Sequence, residues 1–147
     1  LNRLLRQSLR AAGACLVLLA APYLSAQIPS SIPYTGQYNR GQDVVPVLTD
    51  DEGYTLYWFG PDSATKSACL GSCARSWPPV TGPATWGPGV TGTIGAIVRP
   101  GGALQATYNG HPLYTTTADT GPGQTKGNGV WSHGGEWHEV TVPGWAG

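Results

Sequence analysis

Short apolar runs rich in β-branched and aromatic residues recur from about residue 44 onward, separated by glycine, proline and aspartate. This spacing is typical of β-strands joined by tight turns. No window of the sequence has the i, i+3, i+4, i+7 apolar recurrence of an amphipathic helix, so the pattern predicts an all-β fold with Gly/Pro-rich turns. The predicted strands cover residues 44–48, 55–59, 95–98, 103–108, 113–116 and 137–142.

Two segments between predicted strands carry strong turn signals. Residues 50–53 read Asp-Asp-Glu-Gly, and Asn109-Gly110 is a pair in which both residues tolerate a positive φ. We expect both segments to be hairpin tips. The acidic tip is interpreted as a solvated turn rather than a calcium site or a catalytic carboxylate pair.

The chain contains two divergent copies of one pattern, in which a Leu-Tyr strand is followed by an aspartate and later by Trp-x-x-Val. With an offset of 57 residues, the corresponding pairs are Tyr57 and Tyr114, Asp62 and Asp119, and, with a small insertion, Trp77 and Trp137. Two copies are too few for a solenoid. The repeat therefore predicts one compact pseudo-symmetric antiparallel domain over residues 44–147, with copy one at about 44–80 and copy two at about 95–142.

The motif residues of copy one are Tyr57, Phe59 and Asp62, followed by Cys69, Cys73 and Trp77-Pro78-Pro79. In this order they resemble the bacterial "secreted repeat of unknown function" family, predicted lipoproteins with a Tyr-x-(Phe/Trp/Tyr)-x-x-Asp motif. Copy two resembles the partner half, with Thr116 in place of the motif's aromatic residue. The resemblance spans roughly residues 44–142. It implies a tandem-repeat fold and an envelope or secreted location, and it implies no activity.

Residues 1–26 have the composition of a secretory signal peptide. Three arginines precede an apolar run over residues 11–22, and small residues lead to an expected cleavage site after Ala26. The run is shorter than the roughly 20 residues of a membrane-spanning helix, so we expect its removal and no transmembrane segment afterwards. Cys15 precedes most of the apolar run, which favours a secreted or periplasmic protein over a lipid-anchored one. Residues 27–43 lack periodicity and are predicted to be an extended leader.

The charge and composition narrow the class of protein. Of eight basic residues, three lie in the expected signal peptide and the others are scattered. The exported chain therefore has an acidic excess and no basic stripe for a nucleic acid. The content of glycine and proline is close to that of disordered chains. However, six tryptophans and the six tyrosines outside the expected signal peptide supply the large apolar groups that one core needs.

Cys69 and Cys73 are the two cysteines of the expected exported chain. An even number of cysteines in an oxidising compartment predicts a structural disulfide. Metal ligation and redox exchange are the alternatives. The spacing is not Cys-x-x-Cys and no βαβ pattern surrounds the pair, which disfavours redox exchange.

The Tyr–Asp motifs, Tyr57 with Asp62 and Tyr114 with Asp119, have two interpretations: two equivalent binding sites or two equivalent pieces of scaffold. An aspartate in a turn is well suited to accept backbone N–H bonds. A tyrosine on a strand buries its ring and keeps its hydroxyl near a partner. These preferences favour the scaffold role.

Copy two also holds the candidate metal ligands His111, His133, Glu136 and His138. Imidazole and carboxylate groups bind zinc or copper. However, the spacing is not that of a helical His-Glu-x-x-His site, so we predict no metal and no cofactor. His111 is expected to be a turn residue beside the second Leu-Tyr strand.

Trp86, Trp131 and Trp145 lie in Gly- and Pro-rich segments and are candidates for a platform that contacts sugars or a partner protein. The exported chain has no nucleophile elbow, no phosphate loop and no free thiol, so we predict no catalytic residue. The sequence thus predicts a non-enzymatic binding or structural module of the cell envelope or extracellular space, with an unidentified protein or ligand as partner. The alternative is a periplasmic metal- or haem-binding protein that uses the copy-two histidines.

Overall fold

The computed structural model describes residues 34–40, 43–82 and 90–142. The strands of this part of the chain form three antiparallel sheets, β1–β2, β3–β8–β7 and β4–β5–β6. The all-β prediction is therefore confirmed, with one short helix in addition. The elements are β1 (Tyr34–Arg40), β2 (Asp43–Thr49), β3 (Tyr57–Phe59), α1 (Ser72–Ser76), β4 (Ile94–Val98), β5 (Leu104–Tyr108), β6 (His111–Pro112), β7 (Trp131–Ser132) and β8 (Gly135–Glu139).

Both predicted hairpin tips are turns. Asn109 and Gly110 have φ angles of 48° and 80°, the left-handed values that a two-residue hairpin turn requires, and they connect β5 to β6. At the acidic tip, Oδ1 of Asp50 accepts hydrogen bonds from the backbone N–H groups of Glu52 and Tyr54 at 3.1 and 2.8 Å. The carboxylate of Asp50 is thus used inside its own turn.

Some element boundaries differ from the predicted pattern. Strand β1 lies in the predicted leader and pairs with β2 over its whole length. The pairing bonds are made by backbone groups, so a polar segment without side-chain periodicity can also form a strand. Helix α1 is too short to produce an amphipathic repeat. The predicted strand 113–116 is replaced by β6 and two isolated bridges at Tyr114. The expected signal peptide, residues 1–26, lies outside the described residues.

The two copies exchange strands instead of folding side by side. Strand β3 of copy one pairs with β8 of copy two, and the Tyr114 segment of copy two pairs with the closing segment of copy one. Equivalent backbone bonds have equal lengths: Val140 N–H donates to the Leu56 carbonyl at 2.9 Å, and Val80 N–H donates to the Leu113 carbonyl at 2.9 Å. Each copy thus completes the sheet of the other.

Tyr57 and Tyr114 lie side by side where the copies meet. The backbone N–H of Tyr57 donates to the carbonyl of Tyr114 at 2.8 Å, and the reciprocal bond measures 2.9 Å. An antiparallel pair that exchanges both bonds is symmetric about its midpoint. A pseudo-twofold axis therefore passes between these two residues.

The core consists of two clusters on opposite faces of the Leu-Tyr strands, because successive side chains of a strand point to opposite faces. One is a mainly aliphatic cluster of Leu48, Leu56, Val80, Ala106, Tyr108, Leu113, Val140 and Val142. The other, which we call the aromatic cluster, contains Tyr57, Phe59, Cys69, Cys73, Trp77, Tyr114 and Trp137. Both clusters draw residues from both copies, so the copies share one core.

Candidate functional site

The hydroxyl group of Tyr57 is bonded to the aspartate of the other copy. It donates to Oδ2 of Asp119 at 2.7 Å, and its oxygen accepts a bond from the backbone N–H of Gly127 at 3.3 Å. The other carboxylate oxygen of Asp119 accepts from the backbone N–H of Lys126 at 3.0 Å. Tyr57 and Asp119 are buried, so these bonds satisfy groups that would be costly to leave unpaired.

Tyr114 repeats this arrangement with the aspartate of copy one. Its hydroxyl donates to Oδ2 of Asp62 at 2.7 Å and lies 2.7 Å from the hydroxyl of Ser67. Oδ1 of Asp62 accepts from the backbone N–H of Ala68 at 2.6 Å. In both copies the aspartate accepts a backbone N–H bond, as expected for a turn aspartate, but its tyrosine partner comes from the other copy. We call these four side chains, Tyr57, Asp62, Tyr114 and Asp119, the paired centre.

The closing tryptophans meet beside the paired centre. The rings of Trp77 and Trp137 stack with centroids 3.8 Å apart and an interplanar angle of 2°, and Phe59 also stacks on Trp137, at 4.2 Å. Tyr57 packs edge-on against Trp77 at 5.6 Å, and Tyr114 packs edge-on against Trp137 at 5.0 Å. The motif aromatics thus form one contiguous stack in the core.

The paired centre has shifted acid–base properties. Burial raises the pKa of Tyr114 to about 12. Burial also raises the pKa of Tyr57, and the bond to Asp119 adds to the rise. The pKa of Asp62 is raised by burial, against the opposing effects of the bonds from Tyr114 and Ala68. At neutral pH both phenols therefore remain protonated hydrogen-bond donors.

Arg99 links the two copies through buried hydrogen bonds. Its buried guanidinium group donates to Oγ of Ser67 at 3.0 Å, to Oε1 of Gln105 at 2.6 Å and to the carbonyl oxygen of Cys69 at 2.7 Å. Nε2 of Gln105 in turn donates to the carbonyl oxygen of Leu113 at 2.8 Å. Arg99 therefore ties the β4–β5 hairpin of copy two to the cysteine loop of copy one.

The cysteine loop is closed by a disulfide between Cys69 and Cys73, whose Cα atoms are 5.2 Å apart. The sulfur-bearing residues are buried in the aromatic cluster. The loop leads into α1, whose last turn carries the bond from Trp77 N–H to the Cys73 carbonyl at 2.8 Å. The disulfide thus fixes the segment that positions Trp77.

The candidate metal ligands of copy two are not gathered at one point. His111 and His138 both contact the indole of Trp58, with centroid distances of 4.7 and 4.3 Å, and Nε2 of His138 lies 3.8 Å from Oε2 of Glu136. His133 occupies the β7–β8 turn with a φ of 53°. Within the described ranges, no three His, Cys, Asp or Glu residues are grouped so that they could hold a metal ion.

A groove of about 160 Å³ opens beside Trp58. It combines apolar surface with hydroxyl, amide and imidazole groups, and we call it the Trp58 groove. Trp58 itself is half-buried, and the contacts with His111 and His138 restrain its ring. The lining residues are Trp58, Tyr108, Asn109, His111, Val140 and Thr141.

Two other hollows each contain a polar side chain that is bonded within the protein. A 220 Å³ hollow includes Asp50, whose Oδ1 caps the acidic turn. A 370 Å³ hollow includes Ser67, whose hydroxyl is bonded to Tyr114 and Arg99. Trp131 is 73% exposed on β7, whereas Trp86 and Trp145 lie outside the described residues.

The family model described as "secreted repeat of unknown function" matches residues 46–81 and 95–141, together more than half of the chain. This chain belongs to that family. The two matched regions contain the two Tyr–Asp motifs, in agreement with the two copies predicted from the sequence. Comparison with curated proteins and with solved structures gave no match.

In this secreted-repeat protein, the sequence contains only weak signals for the structural roles of two residues, Arg99 and Trp58. Arg99 stands among scattered basic residues, and what singles it out in the sequence is that its Arg-Pro-Gly-Gly segment is part of the resemblance of copy two to the family. Trp58 occupies an unspecified position of the Tyr-x-(Phe/Trp/Tyr)-x-x-Asp motif. No helix in the described part of the chain is long and apolar enough to cross a membrane.

Proposed function

We propose that this secreted-repeat protein is a non-enzymatic binding module that acts in the cell envelope or outside the cell, and that it contacts its ligand at the Trp58 groove. The observation that carries the proposal is the groove itself. It places a restrained, half-exposed indole next to groups that can form hydrogen bonds, which is the usual composition of a ligand site.

The paired centre supports the non-enzymatic part of the proposal. Its phenols and carboxylates are bonded to one another and to backbone N–H groups. A catalytic acid, base or nucleophile must reach a substrate, whereas these groups are committed to holding the two copies together. We assign them to the scaffold.

Export is supported by the signal-like composition of residues 1–26 and by the family's description as a secreted repeat. The order of Cys15 and the apolar run favours a released protein over a lipid-anchored one. The metal- or haem-binding alternative gains no support, since His133 does not share a cluster with the two histidines at Trp58.

The proposal is tested by co-sedimentation of the purified exported chain with the envelope fraction of the producing cells. We expect the wild-type protein to sediment with that fraction, and we expect a much smaller amount of the Trp58→Ala variant to sediment with it. Trp131→Ala is the matched comparison, because Trp131 is the exposed platform candidate and lies outside the groove. Loss of binding in Trp131→Ala but not in Trp58→Ala would place the contact there and contradict the proposal. Equal binding by all three proteins, or binding by none, would contradict the proposal.

A further inference from the structure

We infer that the Trp58 groove binds a single ring of a neutral carbohydrate. This inference rests on the proposed function and names the class of ligand. It depends on three properties of the groove: the charge of its lining, its size and the chemistry of its rim.

The lining contains no aspartate, glutamate, lysine or arginine among the residues described. Apart from the imidazole of His111, the lining offers no counter-ion to a charged ligand group, which would lose hydration there. The lining therefore selects an uncharged ligand.

The size and the apolar lining of the groove suit one small ring. Its volume of about 160 Å³ is below the roughly 300–1,000 Å³ of sites for drug-sized ligands. Tyr108, Val140 and the indole of Trp58 contribute apolar lining, and Tyr108 and Val140 are buried. The apolar C–H face of a pyranose ring can pack against this surface and against the part of the indole that the imidazoles of His111 and His138 leave accessible.

The rim offers both donors and acceptors. Asn109 uses its Oδ1 to accept the backbone N–H of Thr93 at 2.8 Å, which leaves its NH₂ group as a donor. The Thr141 hydroxyl and the His111 imidazole can each donate and accept, and both residues are exposed. A proline-rich peptide would offer carbonyl acceptors and few donors to such a rim. Sugar hydroxyls offer both, so the rim favours a carbohydrate.

The test is NMR titration of the ¹⁵N-labelled full exported chain, observed at its indole N–H signals and at the backbone amide signals of Asn109 and Thr141, which line the groove and are still present in Trp58→Ala. The neutral probes are triacetylchitotriose, cellotriose and maltotriose. Trigalacturonate serves as the acidic counterpart, and tetraproline represents the peptide alternative. We expect at least one neutral probe to shift the Trp58 signal, with a Kd on the order of 1 mM because a one-ring site makes few contacts.

Variants identify the groove as the site. We expect Trp58→Ala to weaken binding of that probe about tenfold or more, and Thr141→Val to weaken it about threefold to tenfold through loss of one hydrogen bond. Trp131→Ala tests the exposed tryptophan that the sequence offered as the alternative sugar contact. We expect it to bind as wild type does, and loss of binding in Trp131→Ala but not in Trp58→Ala would overturn the inference. The urea midpoint of Trp58→Ala shows whether that variant folds. If it does not fold, the affinity of Thr141→Val decides whether the groove is the binding site.

Two further results would overturn the inference: no shift with any neutral probe at about 20 mM, far above the expected Kd, or a response limited to trigalacturonate or tetraproline. In either case, envelope binding that still depends on Trp58 would leave the proposed function standing. If the wild-type protein does not sediment with the envelope fraction, the result counts against the proposed function itself.

Discussion

Tyr57 donates its hydroxyl hydrogen to Asp119, 62 positions later in the chain and in the other copy. Tyr114 and Asp62 form the matching bond in the opposite direction, at the same distance of 2.7 Å. Each copy therefore holds half of two hydrogen-bonded pairs. The motif is satisfied only when both copies are folded against each other, which couples their stabilities.

Removing either aspartate should destabilise the whole domain. We expect Asp62→Ala and Asp119→Ala each to lower the free energy of unfolding by about 1–3 kcal/mol, because a buried phenol and a backbone N–H lose their acceptor. Urea unfolding measures the effect. Asp51→Ala, at the exposed acidic tip, is the control and should remain near wild type. A variant that keeps its midpoint while losing ligand affinity would instead make the paired centre a binding site.

Alkaline pH should weaken the fold through Tyr114. Its pKa is about 12 in the folded protein, above the ordinary value of about 10 in an unfolded chain. The folded state thus holds the phenol proton more tightly. The resulting stability is complete below pH 10 and is lost as the pH rises through 12. Urea midpoints measured between about pH 9 and 11.5 should fall more steeply in wild type than in Tyr114→Phe. Equal slopes would argue against the assignment.

Replacing Arg99 should also be costly. Arg99→Met keeps the aliphatic stem and deletes the guanidinium group, so Ser67, Gln105 and the Cys69 carbonyl lose a charged donor. We expect the free energy of unfolding to fall by about 2–3 kcal/mol. Arg75→Met is the matched control, since Arg75 is exposed on α1. Similar midpoints for the two variants would show that the Arg99 contacts contribute little.

The disulfide should be formed in the exported protein. Intact mass should increase by the mass of two alkylating groups only after reduction, because Cys69 and Cys73 are bonded. The double variant Cys69→Ala/Cys73→Ala should have a free energy of unfolding about 2 kcal/mol lower than that of wild type, the contribution expected of a disulfide that closes so short a loop. Alkylation of the native, unreduced protein would show free thiols and revive metal ligation as the role of these cysteines.

The sequence alone determined the fold class, the two copies and the turns. Alternation, β-branched runs and Asn109-Gly110 act over a few neighbouring residues, so their signal is present in any short window. The role of the aspartates as acceptors of backbone N–H bonds is equally local, because Asp62 bonds Ala68 and Asp119 bonds Lys126.

The tertiary structure decided which residues meet across those copies. Tyr57 has the same hydrogen-bond chemistry with Asp62 as with Asp119, so a repeated motif leaves the choice open. The strand exchange between β3 and β8 settles it, because it carries each tyrosine to the aspartate of the other copy. The Trp58 groove likewise depends on the tertiary structure. Its lining comes from three separate segments of the chain, and side chains so far apart in sequence become neighbours only through the path of the folded backbone.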